Sequence, residues 1–382
     1  MDFDLSEEQS LLKGSVERLI ADRYDFDSRK RYMATPEGFS REVWAQYAEL
    51  GLLAVPFEER HGGIGGGPVE TMILMEAFGA ALVLEPYLAS VVLAGGLVQH
   101  GTNDELKDRL LPQVADGSIR LAFAHQERQA RYDLAHVAVT ATRDGDGWTL
   151  NGDKSLVLNG DTADKFVVSA RTAGARRDRD GIGLFLVDAN APGLSRRGYA
   201  TQDGLRAAEV TLADVKVAAS DAICAAGDGL PLIERIVDAA IAALCAEAVG
   251  AMTAVHAETV EYLKTRKQFG VPIGNFQVLQ HRAADMFVAV EQARSMAMFA
   301  TMMVQEEDAA ERRKAISAAK VQIGRSARFV GQQAVQLHGG VGMTMELKVG
   351  HYFKRLTMID VLFGDADHHL ARLADAGGLL PA

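Results

Sequence analysis

The local periodicity of this chain changes twice, and those two changes limit the fold more than any single residue does. Residues 1 to about 117 carry helical spacing: Ser6-Glu7-Glu8-Gln9 is a capping-box pattern, and Leu12, Val16 and Leu19 then mark one face. From about 118 to 222 the pattern shortens into strand-like runs, among them Trp148-Thr149-Leu150, Lys165 to Ser169 and Gly183 to Val187. Turn clusters such as Asp144-Gly145-Asp146-Gly147 and Asn159-Gly160-Asp161 separate them, a spacing that predicts a small antiparallel barrel or sandwich. From about 228 onward long Ala-, Met- and Leu-rich helical stretches return, over Val237 to Lys264, Ala283 to Glu307 and Ala315 to Leu337. The order predicts an α+β multidomain chain, with helices over 1–117, a β-domain over 118–225 and a helical bundle over 226–382.

At 382 residues the chain is long enough for two or three domains. Its formal charge of −11 argues against nucleic acid or an anionic membrane as partner, because both select basic surfaces. By inspection no stretch approaches the ~20 apolar residues that span a bilayer, and the acidic N-terminus lacks the features of a signal peptide. The two cysteines, Cys224 and Cys245, stand in no redox or zinc spacing. The expectation is a cytoplasmic protein without disulfides or a structural metal. The run Gly62 to Gly67 is read as a loop and not as a dinucleotide fingerprint, since helical sequence surrounds it. Met286, Met296, Met298, Met302 and Met303 are read as core filling or helix packing.

Two motifs in the last third carry chemistry. Arg266-Lys267-Gln268-Phe269-Gly270, followed by Pro272-Ile273 and Phe276-Gln277, offers a guanidinium able to grip a diphosphate, an aromatic, two amides and a Gly where a helix must end. Gln336-Leu337-His338-Gly339-Gly340, then Val341-Gly342, offers glycines that let a backbone approach a ligand. Either one alone also reads as a helix end: a capped terminus and a terminating glycine turn.

Together, at this separation, they resemble the acyl-CoA dehydrogenases. Gly51-Leu52-Leu53 with Pro56 and Gly62-Gly63 is similar to that family's N-terminal signature, and Leu150-Asn151-Gly152-Asp153-Lys154 with Asn159-Gly160 to its middle-domain hairpin. The resemblance implies a helical domain, a β-barrel-like domain and a four-helix bundle. It also implies FAD as cofactor, an acyl-CoA substrate and an electron-transfer flavoprotein as acceptor. Arg266, Gln268, Phe269, Phe276, Gln277, Gln336, Leu337, Gly339 and Gly340 then hold the diphosphate and adenine side of a FAD bound to a neighbouring subunit.

The chain departs from the family where the chemistry sits. In typical members a carboxylate removes the α-proton of the thioester while the flavin accepts the β-hydride. The usual Y-E-G-T segment reads Val361-Leu362-Phe363-Gly364-Asp365 here, with Phe363 at the Glu position. The alternative position, counted back from Arg266, is Ala240, and the companion Arg falls on Ile241. Glu247, Asp238 and Asp365 remain candidate bases, while Glu247 also reads as a helix-packing carboxylate. Asp365, Asp367, His368 and His369 are read as the start and cap of the last helix rather than a metal cluster. Typical members read T-E-P-G-x-G-S-D where this chain has Ala124 to Arg131, and W-I-T-N where it has Leu156 to Asn159. Leu158 thus stands in for a Thr that faces the flavin.

The expected function is FAD-dependent α,β-dehydrogenation of an acyl-CoA, with the chain as one subunit of a heterotetramer beside a catalytically complete relative. Family members acting on dicarboxylyl-CoA, such as pimeloyl-CoA, or on steroid side-chain thioesters are built this way. A self-sufficient homo-oligomer with an unusual base, and a flavin oxidase or monooxygenase, stand as alternatives.

Overall fold

The computed structural model describes residues 5–377, so the outermost ends of the expected first and last segments, 1–4 and 378–382, lie outside the described residues. The helices before the sheet are α1 (Glu7–Arg23), α2 (Phe26–Met33), α3 (Arg41–Glu49) and α4 (Pro68–Ala81). A π-helical stretch, Leu88–Gly95, runs into α5 (Gly96–Gln99), and α6 (Asp104–Ala115) follows. Seven strands come next: β1 (Leu121–Ala124), β2 (Thr140–Asp144), β3 (Gly147–Leu158), β4 (Lys165–Arg171), β5 (Ile182–Asp188), β6 (Leu194–Ala200) and β7 (Arg206–Val217). The remainder is α7 (Gly229–Thr265), a ribbon of β8 (Lys267–Gln268) and β9 (Val271–Pro272), α8 (Gln277–Met303), α9 (Ala309–His338), α10 (Lys348–Val361) and α11 (Ala366–Asp375). The expected fold class is present, and the capping box at Ser6 and Gln9 starts α1.

The chain divides into two compact units, one of residues 1–30, 68–83 and 241–382, the other of residues 31–67 and 84–240. The second holds the sheet. Antiparallel pairs join β2 to β3, β3 to β7, β6 to β7 and β4 to β5. The pairing is not wholly antiparallel, because β1 and β2 both run parallel to β4 along the same edge. Parallel neighbours need a long connection, and the β2–β3 hairpin with its flanking segments supplies it between β1 and β4. Ala141, Leu150, Val157, Phe166, Val168, Phe185, Val210 and Val215 form the buried core of the sheet.

In the first unit, α4 and α7 cross at backbone contact. A Cβ on Gly79 would lie 1.9 Å from the Glu247 carbonyl oxygen, and one on Gly250 would lie 1.9 Å from that of Glu76. The helix α7 starts earlier than its periodicity suggested, at Gly229. It also corrects the expectation about apolar stretches. It contains an 18-residue window of mean hydropathy 1.7, long and apolar enough to cross a membrane, and 89% of that window is buried in the fold. Runs of alanine with interspersed Ile, Leu, Val and Met sum to this value although few large side chains are present. Of the five methionines in α8, only Met286 is fully buried, whereas Met302 is 39% exposed.

The crossing predicts the cost of one methyl group. Gly→Ala in an exposed helix gains about 1 kcal/mol, but Gly79→Ala should lose about 1–3 kcal/mol by overpacking. Urea denaturation measures it, and a stabilised Gly79→Ala would contradict so close a crossing.

Candidate functional site

The two motifs of the last third meet in space in the first unit. The helix α7 ends at Thr265, and Arg266 to Ile273 fold back as the β8–β9 ribbon. Its turn is Phe269-Gly270, with φ of 54° and 83°, the pair of left-handed residues that a two-residue hairpin requires. Gly270 therefore shapes the tip of the ribbon, and does not end the helix as its position after α7 suggested. At the end of α9, Gly339 closes the helix with φ 65°, and nothing lies within 4 Å of a Cβ built on it or on Gly340. Tyr262 of α7 stacks on His338 of α9 at 4.3 Å, and its hydroxyl donates to the His338 carbonyl at 3.4 Å, which ties the two segments together.

Between them opens a cavity of about 590 Å³ walled by Tyr262, Arg266, His338, Gly340 and Val341. Arg266 is exposed, and among the described residues its guanidinium has no ion-pair partner. Phe269 is 91% exposed and meets the exposed Phe276 edge to face at 6.1 Å. Gln268, Gln277 and Gln336 are exposed as well, whereas Leu337 is buried in the packing of α9. A free guanidinium, unhindered glycines and an exposed aromatic pair fit the diphosphate and adenine of a dinucleotide.

The loop after α10 is held with equal care, although no carboxylate stands at its tip. Phe363 and Gly364 both take positive φ, 58° and 111°. Lys320, fully buried in α9, donates to the carbonyls of Ile359 at 2.7 Å, Asp360 at 2.7 Å and Gly364 at 2.9 Å. Burial pushes its ammonium down to about 8. His369 of α11 donates from Nε2 to the Phe363 carbonyl and accepts from the Ser317 hydroxyl at Nδ1, both at 3.1 Å. The backbone at position 363 is thus held by hydrogen bonds that do not involve its side chain.

The candidate bases are placed as follows. Glu247 is buried and gripped from both oxygens by Arg355 of α10, at 2.5 and 2.7 Å, so its carboxylate is spent on joining α7 to α10. Asp365 caps α11, accepting from the His368 amide at 2.8 Å. Asp238 is buried in α7, and Ala240 is fully buried, so its methyl group leaves no opening to solvent. Phe363 is partly exposed.

In the second unit, the stretch Ala124 to Arg131 carries a feature that was not singled out from the sequence. Glu127 and Lys154 form a buried ion pair at 2.7 Å, and Lys154 also reaches the His125 carbonyl and the Ser169 hydroxyl. A signal for it existed, since strand alternation sets Lys154 on the buried face of β3 with Leu150. Leu158 offers no hydroxyl, and the Asn159 side-chain amide nitrogen is buried with no hydrogen-bond partner among the described residues.

Comparison with known proteins decides the family. The chain matches the N-terminal domain of acyl-CoA dehydrogenase over residues 6–118, the middle domain over 122–215 and the C-terminal domain over 227–378. It belongs to the acyl-CoA dehydrogenase family. It is 32% identical over 363 residues to the acyl-CoA dehydrogenase FadE12 of Mycobacterium tuberculosis, covering 91% of this chain and 90% of that one. Among solved structures, the ChsE4–ChsE5 complex from Mycobacterium tuberculosis superposes with a TM-score of 0.89 at 26% identity over all of both chains. The FAD complex of PigA does so with a TM-score of 0.89 at 27% identity, covering 99% of this chain and 100% of that one. The acyl-CoA dehydrogenase described here is therefore a FAD-dependent oxidoreductase acting on acyl-CoA thioesters. When bound, the flavin supplies the hydride acceptor, and Arg266 with the backbone at Gly339 and Gly340 would hold its diphosphate and adenine side.

The buried imidazole at the loop makes a pH prediction. Unfolded histidines protonate near 6.5, whereas His369 is pushed down to about 3, by burial first and then by Lys320, Arg372 and His368. Below pH 6.5 the unfolded chain takes up a proton that the folded chain refuses, so stability falls as pH drops toward 3. His369→Gln should flatten that slope by about 1.4 kcal/mol per pH unit between pH 6 and 5. Urea denaturation across that range reads it, and equal slopes in the two proteins would contradict the neutral assignment.

Proposed function

We propose that this chain is the catalytically degenerate subunit of a heteromeric acyl-CoA dehydrogenase, pairing with a related subunit that carries the base. The observation that carries this reading is Phe363. It stands on a fully built and held loop, at the position where the resemblance puts the proton-abstracting Glu, and a phenyl ring cannot take a proton. The second base position is a buried alanine, and the acid nearest to it in helical phase is bound to Arg355.

The arms, by contrast, remain equipped for a ligand. Arg266, Phe269, Phe276 and the Gly339–Gly340 turn are exposed. On this reading they reach the adenine side of a flavin whose ring is bound in the partner. Val278, Phe287 and Val288 on α8 are each more than half exposed, and apolar side chains so exposed suit a subunit contact. The chain of the ChsE4–ChsE5 structure that is matched over its full length is itself part of a complex. The assembly would dehydrogenate an acyl-CoA of the dicarboxylyl or steroid side-chain class in the cytoplasm and pass electrons to an electron-transfer flavoprotein.

Purified alone, the chain should retain FAD substoichiometrically, and co-expression with its partner should restore roughly one FAD per heterodimer. In that complex Arg266→Ala should weaken flavin retention by about 1.5–3 kcal/mol without unfolding, through loss of a charge-assisted contact. Flavin absorbance after gel filtration measures both. Stoichiometric, tightly held FAD in the lone chain would overturn the degenerate-subunit reading.

A further inference from the structure

Lys320 meets the loop after α10 with as many donors as there are acceptors. An ammonium carries three N–H bonds, and the carbonyls of Ile359, Asp360 and Gly364 take them at 2.7, 2.7 and 2.9 Å. The first two belong to the end of α10, and the third lies beyond the bend at Phe363. One buried amine thus spans the loop from side to side. The two nearby carboxylates are spent elsewhere. Asp360 accepts from Arg328 at 3.1 Å and from the Ala366 amide at 3.2 Å, and Asp365 accepts from the His368 amide at 2.8 Å. Among the described residues, carbonyl dipoles alone touch the charge.

Loss of one proton breaks this match. A neutral amine has two N–H bonds and a lone pair, and a lone pair turned toward a carbonyl oxygen repels it. One of the three carbonyls must then be let go. Those of Ile359 and Asp360 are set by α10, whereas the Gly364 carbonyl makes the longest bond and follows a glycine with φ 111°. The Phe363 carbonyl stays tied to His369 Nε2 at 3.1 Å, which places the hinge between 363 and 364. Phe363 is held at φ 58°, a conformation that few residues other than glycine adopt, so the released bend has a better one to move to.

The charged and titratable groups around the amine come from three elements. Cys245 faces it from α7, Asp360 from α10, and Asp365, His368, His369 and Arg372 from the start and body of α11. Burial lowers Lys320 to about 8, with Cys245, Asp360 and Asp365 opposing. Burial also pushes the Cys245 thiol up to about 12 and the His369 imidazole down to about 3, and it lowers His368. Of the amine, thiol and imidazoles gathered here, Lys320 alone changes charge near pH 8.

We propose that Lys320 is a proton-operated latch on the loop that carries Phe363: with three protons it holds the bend closed, and with two it releases the Gly364 carbonyl and lets the bend open. The opening is local. Lys320 sits below its ordinary 10.5 in the folded chain, so between about pH 8 and 10.5 the folded chain binds fewer protons than the unfolded one, and this group adds stability as pH rises. The latch concerns the backbone of the loop, and it holds whether or not the chain has a heteromeric partner.

The test is fluorine NMR of the chain labelled with 4-fluorophenylalanine, the Phe363 signal being assigned by its loss in Phe363→Leu. From pH 7 to pH 9.5 that signal should move to a second position in a one-proton transition with its midpoint near 8. Amide protection over 362–366, corrected for the intrinsic exchange rate, should fall across the same range. Lys320→Met should show the high-pH position already at pH 7 and should not titrate. Asp365→Asn keeps an N-cap residue on α11 and removes a negative charge that acts on Lys320, so it should move the midpoint to lower pH; it carries the test if Lys320→Met does not fold. A signal flat from pH 7 to pH 9.5, a transition that survives in Lys320→Met, or a midpoint unmoved in Asp365→Asn would overturn the latch. A fluorine shift with unchanged amide protection would overturn the opening, since the lost charge alone would then account for it.

Discussion

A lysine buried in a helical bundle must find acceptors for every N–H bond it carries into the interior, and the geometry of the loop after α10 depends on how Lys320 does so. It collects three carbonyls at the C-terminal end of α10 and across the following turn. These are the unpaired acceptors that any helix end leaves behind. The clamp satisfies donor and acceptors at once, and it holds Phe363 and Gly364 in conformations that a free chain would leave. None of these bonds involves the side chain at 363. The hydrogen bonds that hold the loop therefore do not depend on whether that side chain is a carboxylate or a ring.

The second constraint is the helix α7. Its crossing with α4 admits no side chain at Gly79 or Gly250, and alanines fill much of its buried surface, Ala240 among them. A carboxylate at 240 would have to be buried in a space cut to a methyl group, which combines overpacking with the desolvation of a charge. Glu247, two turns further along, is tolerated only because Arg355 neutralises it. Beyond this packed stretch, α7 runs out to Tyr262 and Arg266, where the stack on His338 brings the ribbon and the glycine turn to one cavity.

What could be read from the sequence was local in the chain. The three textures, the turn clusters and both arm motifs are contiguous, and each is written in spacing or in residues with one dominant backbone use. Gly270 was misassigned because a helix terminus and a two-residue hairpin ask for the same positive φ, and one letter does not separate them. The parallel edge of the sheet depends on which strand meets which, and alternation is silent on that. The buried charges were least legible. Glu247 and Arg355 lie 108 positions apart, and Lys320 meets carbonyls about 40 residues further on. Lys154 was visible as an inward-facing charge on a strand, but its partner lies 27 positions earlier in a segment without regular periodicity.

On the degenerate-subunit reading, the chain keeps the scaffold of an acyl-CoA dehydrogenase and lacks its base. The most direct measurement is anaerobic bleaching of flavin by acyl-CoA in the lone chain reconstituted with saturating FAD, beside Phe363→Glu under the same conditions. The loop held by Lys320 and His369 should present the new carboxylate without refolding, so the variant should gain flavin reduction that the unaltered chain lacks. Reduction by the unaltered chain at rates of about 1–10³ s⁻¹, abolished by Glu247→Gln, Asp238→Asn or Asp365→Asn, would contradict the claim and name the base.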